Sequence, residues 1–389
     1  MEISFPRSRR TDRKMSFSER VLKNNEKAIY SLRALYKEYG YSYFKVSKFE
    51  EYDLYAHNKS FLVSNNILTF TDTNGKLLAL KPDVTLSIIK NISDKDESTH
   101  KLCYNETVYR TSADSDGFRE IMQTGLECIG DIDTYSECEV VMLAAKSLGT
   151  IGADYILDIS HMGLLEGYLA EKGIDSELQR DIIRLVESKN TYAIRELLST
   201  AGVDKDAEEG ICFLTSLYSP IDEALVSIRP YVCGAQMERA YADLVNINEA
   251  MKLYGVSDKL YLDLTIVNDV NYYDGICFKG YINGIPDSVL SGGRYDKLLA
   301  RLGKTSGAIG FAVYLDRLER HGSDTEEYDV DTVLIYEKGS DIQKIAMAQR
   351  ELMAEGVSVL VGRAPDKAQR YRRLLKLTDG GIEVLENND

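Results

Sequence analysis

Between Phe118 and Gly130 the chain reads as a strand, and its period of two places Arg119, Ile121, Gln123, Gly125, Glu127 and Ile129 on one face. Gln123 and Glu127 offer an amide and a carboxylate four residues apart, and Gly125 between them removes a side chain, leaving room for something small against the sheet. The same pattern also suits a face that is only solvated. Arg110, at the end of the preceding strand-like run Lys101 to Arg110, adds a guanidinium whose fixed fork matches a carboxylate or a phosphate.

These residues need a scaffold. Apolar residues at helical spacing from Phe17 to Tyr39, followed by Gly40, predict an amphipathic helix. Strands are expected at Tyr41 to Val46, Ile67 to Thr71 and Leu77 to Leu80, the last two joined by the turn Thr73 to Lys76. Pro82 opens a second helix with Asp83 in its first turn. Residues 160–254 are helical with little strand signal, strand character returns at Leu260 to Ile266 and Gly275 to Ile282, and a glycine-rich loop, Ser291 to Arg294, leads into a short helix. Gly307 to Arg317 closes this larger domain. Residues 326–389 alternate strand and helix as a small α/β unit, in which Lys367 to Leu377 is read as a helix carrying Lys367, Arg370, Arg372, Arg373 and Lys376.

Several segments occur in the order and spacing of one family. Lys81-Pro82-Asp83-Val84-Thr85, Val108-Tyr109-Arg110 through Gln123-Thr124-Gly125-Leu126-Glu127, Asn271-Tyr272-Tyr273-Asp274-Gly275, Ser291-Gly292-Gly293-Arg294-Tyr295-Asp296 and Gly310 through Arg317 together resemble histidyl-tRNA synthetase over residues 17–320. The resemblance implies an α+β fold, a class II aminoacyl-tRNA synthetase-like antiparallel sheet flanked by helices. Residues 1–321 would form that domain, with a helical insertion at about 160–256, and 326–389 would be a truncated anticodon-binding unit. By the same resemblance Asp83 and Thr85 face the amino group of histidine, Gln123, Glu127, Tyr272 and Tyr273 line its pocket, and Arg110 and Arg317 match two ATP-phosphate arginines. For Arg317 an ordinary helix salt bridge is the alternative.

The departures from the family fall on the ATP side. Asn268 stands where an arginine stabilises adenylation, a loss of the kind that costs ~10²–10³ in rate. Ser112 replaces a glutamate that reads adenine, and Tyr314 replaces a glycine, so that a phenol fills space meant for ATP. On the amino-acid side the one change is a conservative aspartate at position 83. This combination resembles the regulatory subunits of ATP phosphoribosyltransferase, which implies a non-catalytic chain that works with a short-form catalytic subunit in the first step of histidine biosynthesis and conveys feedback by histidine. It also implies a homodimer within a hetero-oligomer. A histidine sensor for another pathway and a histidine–tRNA ligase are the rivals.

Bulk properties agree with a soluble, cytoplasmic chain that has no membrane partner. No stretch of its 389 residues approaches the ~18 consecutive apolar residues of a membrane span. Arg7, Arg9, Arg10, Arg13 and Lys14 precede no apolar run, so no secretory signal is expected, and whether translation starts at Met1 or Met15 stays open. A net charge of −15 is a poor start for gripping phosphate backbones. Residues 326–389 carry 13 acidic against 9 basic side chains, so tRNA is not an expected partner, and the basic cluster there is either a residual RNA face or a solvated stripe. Six cysteines without CxxC spacing and four scattered histidines predict reduced thiols and no metal site, and no cofactor is called for.

Overall fold

The computed structural model describes residues 22–62, 66–92, 99–112, 115–266, 272–321, 328–366 and 368–388. Contacts divide the described residues into two compact units, one spanning Ala28–His321 and the other holding the described C-terminal residues from 328 on.

Helix α1 (Asn24–Glu38) forms on the stripe Ala28, Leu32 and Tyr36, which is buried every four residues, and Gly40 ends it at φ 84°. Strands β1 (Ser42–Tyr43) and β2 (Phe49–Glu51), helix α2 (Tyr52–Ala56) and the hairpin β3 (Thr69–Thr71) and β4 (Leu77–Leu80) follow. Asp72 closes that hairpin by accepting from the N–H groups of Asn74 and Lys76, each at 2.8 Å. Helix α3 (Thr85–Asn91) starts later than Pro82 suggests. Asp83 stands ahead of it, and its Oδ1 accepts from the Leu86 N–H at 2.9 Å.

The long strands β5 (His100–Ser112) and β6 (Ser115–Gly130) pair antiparallel. Helix α4 (Thr134–Ile151), capped by Asp133 on the Ser136 N–H, carries no amphipathic signal, because everything from Glu137 to Ala145 is buried. Strand β7 (Tyr155–His161) leads into α5 (Met162–Glu171), α6 (Ser176–Glu187), α7 (Thr191–Thr200) and α8 (Lys205–Ser216). Strand β8 (Tyr218–Pro220), α9 (Ile221–Ile228), α10 (Gly234–Tyr254) and β9 (Leu260–Asp263) come next. Then come β10 (Ile276–Ile282), β11 (Leu290–Arg294), α11 (Asp296–Arg301), β12 (Gly307–Tyr314) and α12 (Leu315–His321).

Nine strands form one sheet in the order β1-β5-β6-β12-β11-β10-β7-β9-β8, antiparallel through its centre and parallel only at β1/β5 and β7/β9. The architecture is α+β, an antiparallel sheet flanked by helices, as the sequence predicts. One face packs against α1, α4, α5 and α10 in a single core that joins Leu32, Leu143, Leu164, Met251, Leu157 and Phe278, so the helical segment after β7 shares its core with the sheet. On the opposite face, side chains from β6, β10, β11 and β12 line a cavity.

The segment Ser291 to Arg294 is not a loop. It lies within β11 between β10 and β12, and its glycines serve strand packing: a Cβ on Gly293 would come within 2.6 Å of the Ile276 carbonyl oxygen and 2.7 Å of the Tyr273 ring.

The C-terminal unit is a four-stranded sheet, β14-β13-β15-β16, built from β13 (Val330–Ile335), β14 (Val359–Gly362), β15 (Tyr371–Thr378) and β16 (Gly381–Asn387) with helix α13 (Ile342–Ala354). The expected helix at Lys367 to Leu377 is therefore a strand over Tyr371–Thr378, because Leu375 and Leu377 alternate into the core under α13. No basic helical stripe results. Lys367 lies outside the described residues, and Arg370, Arg373 and Lys376 pair with Asp329, Glu355 and Glu337.

No helix among the described residues is long and apolar enough to cross a membrane. All six cysteines are unpaired, and all but Cys233 are buried.

Candidate functional site

A cavity of about 260 Å³ opens on the sheet, near the lower end of small-molecule sites. Asp83, Thr85, Arg110, Gln123, Glu127, Tyr272, Tyr273, Tyr314 and Arg317 all line it. The β6/β12 register sets the floor: Glu127 lies opposite Gly310, Gly125 opposite Ala312 and Gln123 opposite Tyr314.

At the inner end Glu127 is 2% exposed. Its Oε1 accepts from the Thr85 hydroxyl at 2.7 Å, and its Oε2 accepts from the Tyr295 hydroxyl. Burial pushes its carboxyl up to about 8, despite the two donors that favour the charged form, and the nearby Asp83 adds to the rise. Burial likewise lifts Asp83 above the ordinary carboxylate range, against the pull of Arg110. Tyr104, Tyr272, Tyr273 and Tyr295 are all raised well above the ordinary phenol value by burial, so they wall the site as neutral hydroxyls. Gln123, 2% exposed, has an Nε2 with no hydrogen-bond partner. A buried donor left unmade costs ~1–3 kcal/mol, which an acceptor on a ligand would recover.

Two expectations change in detail. The space left by Gly125 is taken by Tyr104, whose hydroxyl would lie 2.7 Å from a Cβ there. Thr85 donates its hydroxyl proton to Glu127, so it orients the carboxylate while its oxygen stays able to accept from an amino group. Behind this wall, Lys81 is 1% exposed and paired with Glu106 at 2.5 Å, while the Arg110 Nε donates to the Pro82 carbonyl at 2.8 Å. Together these contacts hold the Lys81-Pro82-Asp83 segment against β5.

At the outer end Arg317 is held by its neighbours. The Arg317 guanidinium sits 4.5 Å from the Tyr314 ring centroid and donates to the Ser288 carbonyl and, at 3.1 Å, to the Ser288 hydroxyl. Among the described contacts Arg317 stacks on an aromatic ring, in place of the helix salt bridge that was its alternative reading. Asn268 and the side chain of Ser112 lie outside the described residues.

The sequence reading missed Tyr104, Tyr295, Lys279, Ser288, Ser291 and Asp316 as lining residues. Tyr295 stands in a quoted segment just past the stretch expected as a loop, and Tyr104 becomes visible only when β5 is paired with β6, which sets it opposite Gly125.

The histidyl-tRNA synthetase family model matches residues 17–318. A curated ATP phosphoribosyltransferase regulatory subunit from Caldanaerobacter subterraneus subsp. tengcongensis is 31% identical over 291 residues, which is 74% of this chain and 75% of that protein. The chain belongs to the histidyl-tRNA synthetase family, among the ATP phosphoribosyltransferase regulatory subunits. Solved structures agree on the class II synthetase-like fold. An ATP phosphoribosyltransferase regulatory subunit/histidyl-tRNA synthetase from Bacillus halodurans superposes with a TM-score of 0.76 at 22% identity, covering 96% of this chain and 99% of that one. A chain of the ATP phosphoribosyl transferase (HisG:HisZ) complex from Thermotoga maritima does so with a TM-score of 0.60 at 22% identity, covering 75% and 97%.

Proposed function

We propose that this chain is the regulatory, non-catalytic subunit of a cytoplasmic ATP phosphoribosyltransferase, that it supports the first step of histidine biosynthesis through a short-form catalytic subunit, and that it conveys feedback by histidine bound in the cavity. The observation that carries this reading is the contrast within the cavity. Its inner end gathers buried polar groups around Glu127, and at its outer end Tyr314 and Arg317 stack on each other along the wall.

In this reading Asp83 accepts from the ligand ammonium, Glu127 meets the imidazole, the Gln123 Nε2 donates to an acceptor oxygen, and the tyrosines exclude water. Arg110 and Arg317 are remnants of an ATP-phosphate site that no longer takes the nucleotide, so the isolated chain does not aminoacylate tRNA. The reaction's chemistry resides on the catalytic subunit, and histidine acts through a coupling that is reciprocal between effector and assembly. Exposed aromatic surface supports a homodimer within the complex: Arg33 stacks on Tyr43 at 4.8 Å beside the exposed Tyr30, and Phe49 meets Phe70 at 5.5 Å. Residues 326–389 are read as a shortened anticodon-type unit in which Lys344, Arg370, Arg373 and Lys376 pair with acids.

The test is phosphoribosyl-ATP formation by a short-form catalytic subunit from the same source, with and without this chain and with histidine titrated in. Activity that needs the mixture and falls with histidine is expected. Full, histidine-insensitive activity without this chain would contradict the reading.

A further inference from the structure

Of the two hydroxyls on Glu127, the one from Tyr295 is held in place by groups outside the cavity. Tyr295 sits at the junction of β11 and α11, and its N–H donates to the Ala308 carbonyl at 2.9 Å. The Ala308 N–H in turn donates to Asp296 Oδ1 at 2.9 Å. Asp274, which directly follows Tyr272 and Tyr273, accepts from the N–H groups of Asp296 at 3.2 Å and Lys297 at 2.5 Å, and its own N–H donates to the Arg294 carbonyl at 3.0 Å. One set of bonds therefore locates three of the pocket tyrosines.

Arg294 joins that set to the other side of the sheet. Its Nε donates to Asp296 at 2.9 Å and its Nη1 to Glu137 at 2.8 Å. Glu137 lies in the first turn of α4 with its side chain 6% exposed. The Glu137 carboxyl also feels Asp243 of α10 and His161, the residue that caps α5, and these two are 3.5 Å apart. None of Arg294, Glu137, Asp296 and Asp274 lines the cavity. A buried carboxylate stripped of its partner is costly, so the Glu137 pair holds the junction in one arrangement.

We propose that Arg294 is a positioning residue for the pocket: by tying the Tyr295 junction to Glu137 it fixes the Tyr295 hydroxyl on Glu127, and so makes ligand affinity depend on the placement of α4 and the helices beside it. The affinity arm of this proposal rests on the reading of the cavity as an amino-acid site. The other arm does not, because the Tyr295 hydroxyl favours the charged form of Glu127 with or without ligand.

The experiment uses the full chain in four forms besides wild type: Y295F, R294K, E137Q/R294M and E137Q/R294M/Y295F. The double variant removes both charges and so avoids stranding Glu137, and R294K keeps the charge if the double variant proves unstable. Carboxyl-carbon NMR of the ligand-free protein follows Glu127 across pH, while the other groups facing it (Asp83, Thr85, Tyr104, Tyr272 and Tyr273) are the same in every form. The Glu127 midpoint is expected to rise by about one pH unit in Y295F and in E137Q/R294M, and by less in R294K. Calorimetry with histidine is expected to give roughly tenfold weaker binding for Y295F and for E137Q/R294M, with the triple variant no weaker than Y295F, as coupled residues require. Additive losses, or a Glu127 midpoint unmoved in a folded E137Q/R294M or R294K chain, would overturn the proposal. Wild-type protein that binds no histidine would overturn the amino-acid reading instead, and the NMR arm would still decide the role of Arg294.

Discussion

The two ends of one cavity have opposite fates. At the inner end, polar groups from β6, the start of α3 and the β11/α11 junction converge on Glu127 and leave the Gln123 amide waiting for a partner. At the outer end, the two cations have local partners: Arg317 lies on Tyr314 and Ser288, and the Arg110 Nε donates to the Pro82 carbonyl. Buried groups aimed at empty space are costly unless a ligand repays them, whereas groups satisfied in place stabilise the fold and bind little else. In the proposed reading, the same contrast separates a kept amino-acid site from a closed nucleotide site.

Substitutions at the two ends test that contrast, and behind the inner wall the change should be greatest. Lys81→Met leaves Glu106 without its buried partner and should cost about 3–5 kcal/mol in denaturant unfolding; a loss under 1 kcal/mol would mean that the pair does not hold the Asp83 segment. Next comes pH. The Glu127 carboxyl is raised from 4.5 to about 8, so between those values the unfolded chain ionises while the native chain keeps its proton. Native stability therefore falls across this window as pH rises, and a Glu127→Gln chain lacks the effect. Relative to that variant, wild type should lose up to a few kcal/mol between pH 5 and 8, and parallel stability curves would refute the buried, protonated carboxyl. A smaller effect is expected for Gln123→Ala, which removes one donor and should weaken histidine binding roughly tenfold in calorimetry. The smallest is a gain: Tyr314→Gly should let inorganic triphosphate bind weakly where wild type shows nothing, through the freed Arg317. Equal binding to both would show that the tyrosine closes nothing.

Much of this was written in the sequence, but unevenly. The α1 stripe, the hairpin turn, and the face of β6 carrying Gln123 and Glu127 follow from period and turn chemistry, and the five family-like segments gave the site residues that the cavity gathers. Helix α4 escaped because a helix buried on all sides has no polar face to mark its period. Ser291 to Arg294 read as a loop because two glycines look like a turn, whereas here they let neighbouring strands and the Tyr273 ring come close. The basic run Arg370 to Lys376 read as a helix because charges at mixed spacing masked the alternation of Leu375 and Leu377. Arg294 stands in a quoted segment, but its pairing is not legible there, since Glu137 lies 157 residues away and only the folded sheet brings the two together.

If the amino-acid half is kept and the nucleotide half is closed, isothermal titration of histidine into the isolated chain, with ATP–pyrophosphate exchange measured on the same preparation, separates the two. Saturable histidine binding without exchange is the predicted result, and histidine-dependent exchange of pyrophosphate into ATP would contradict it.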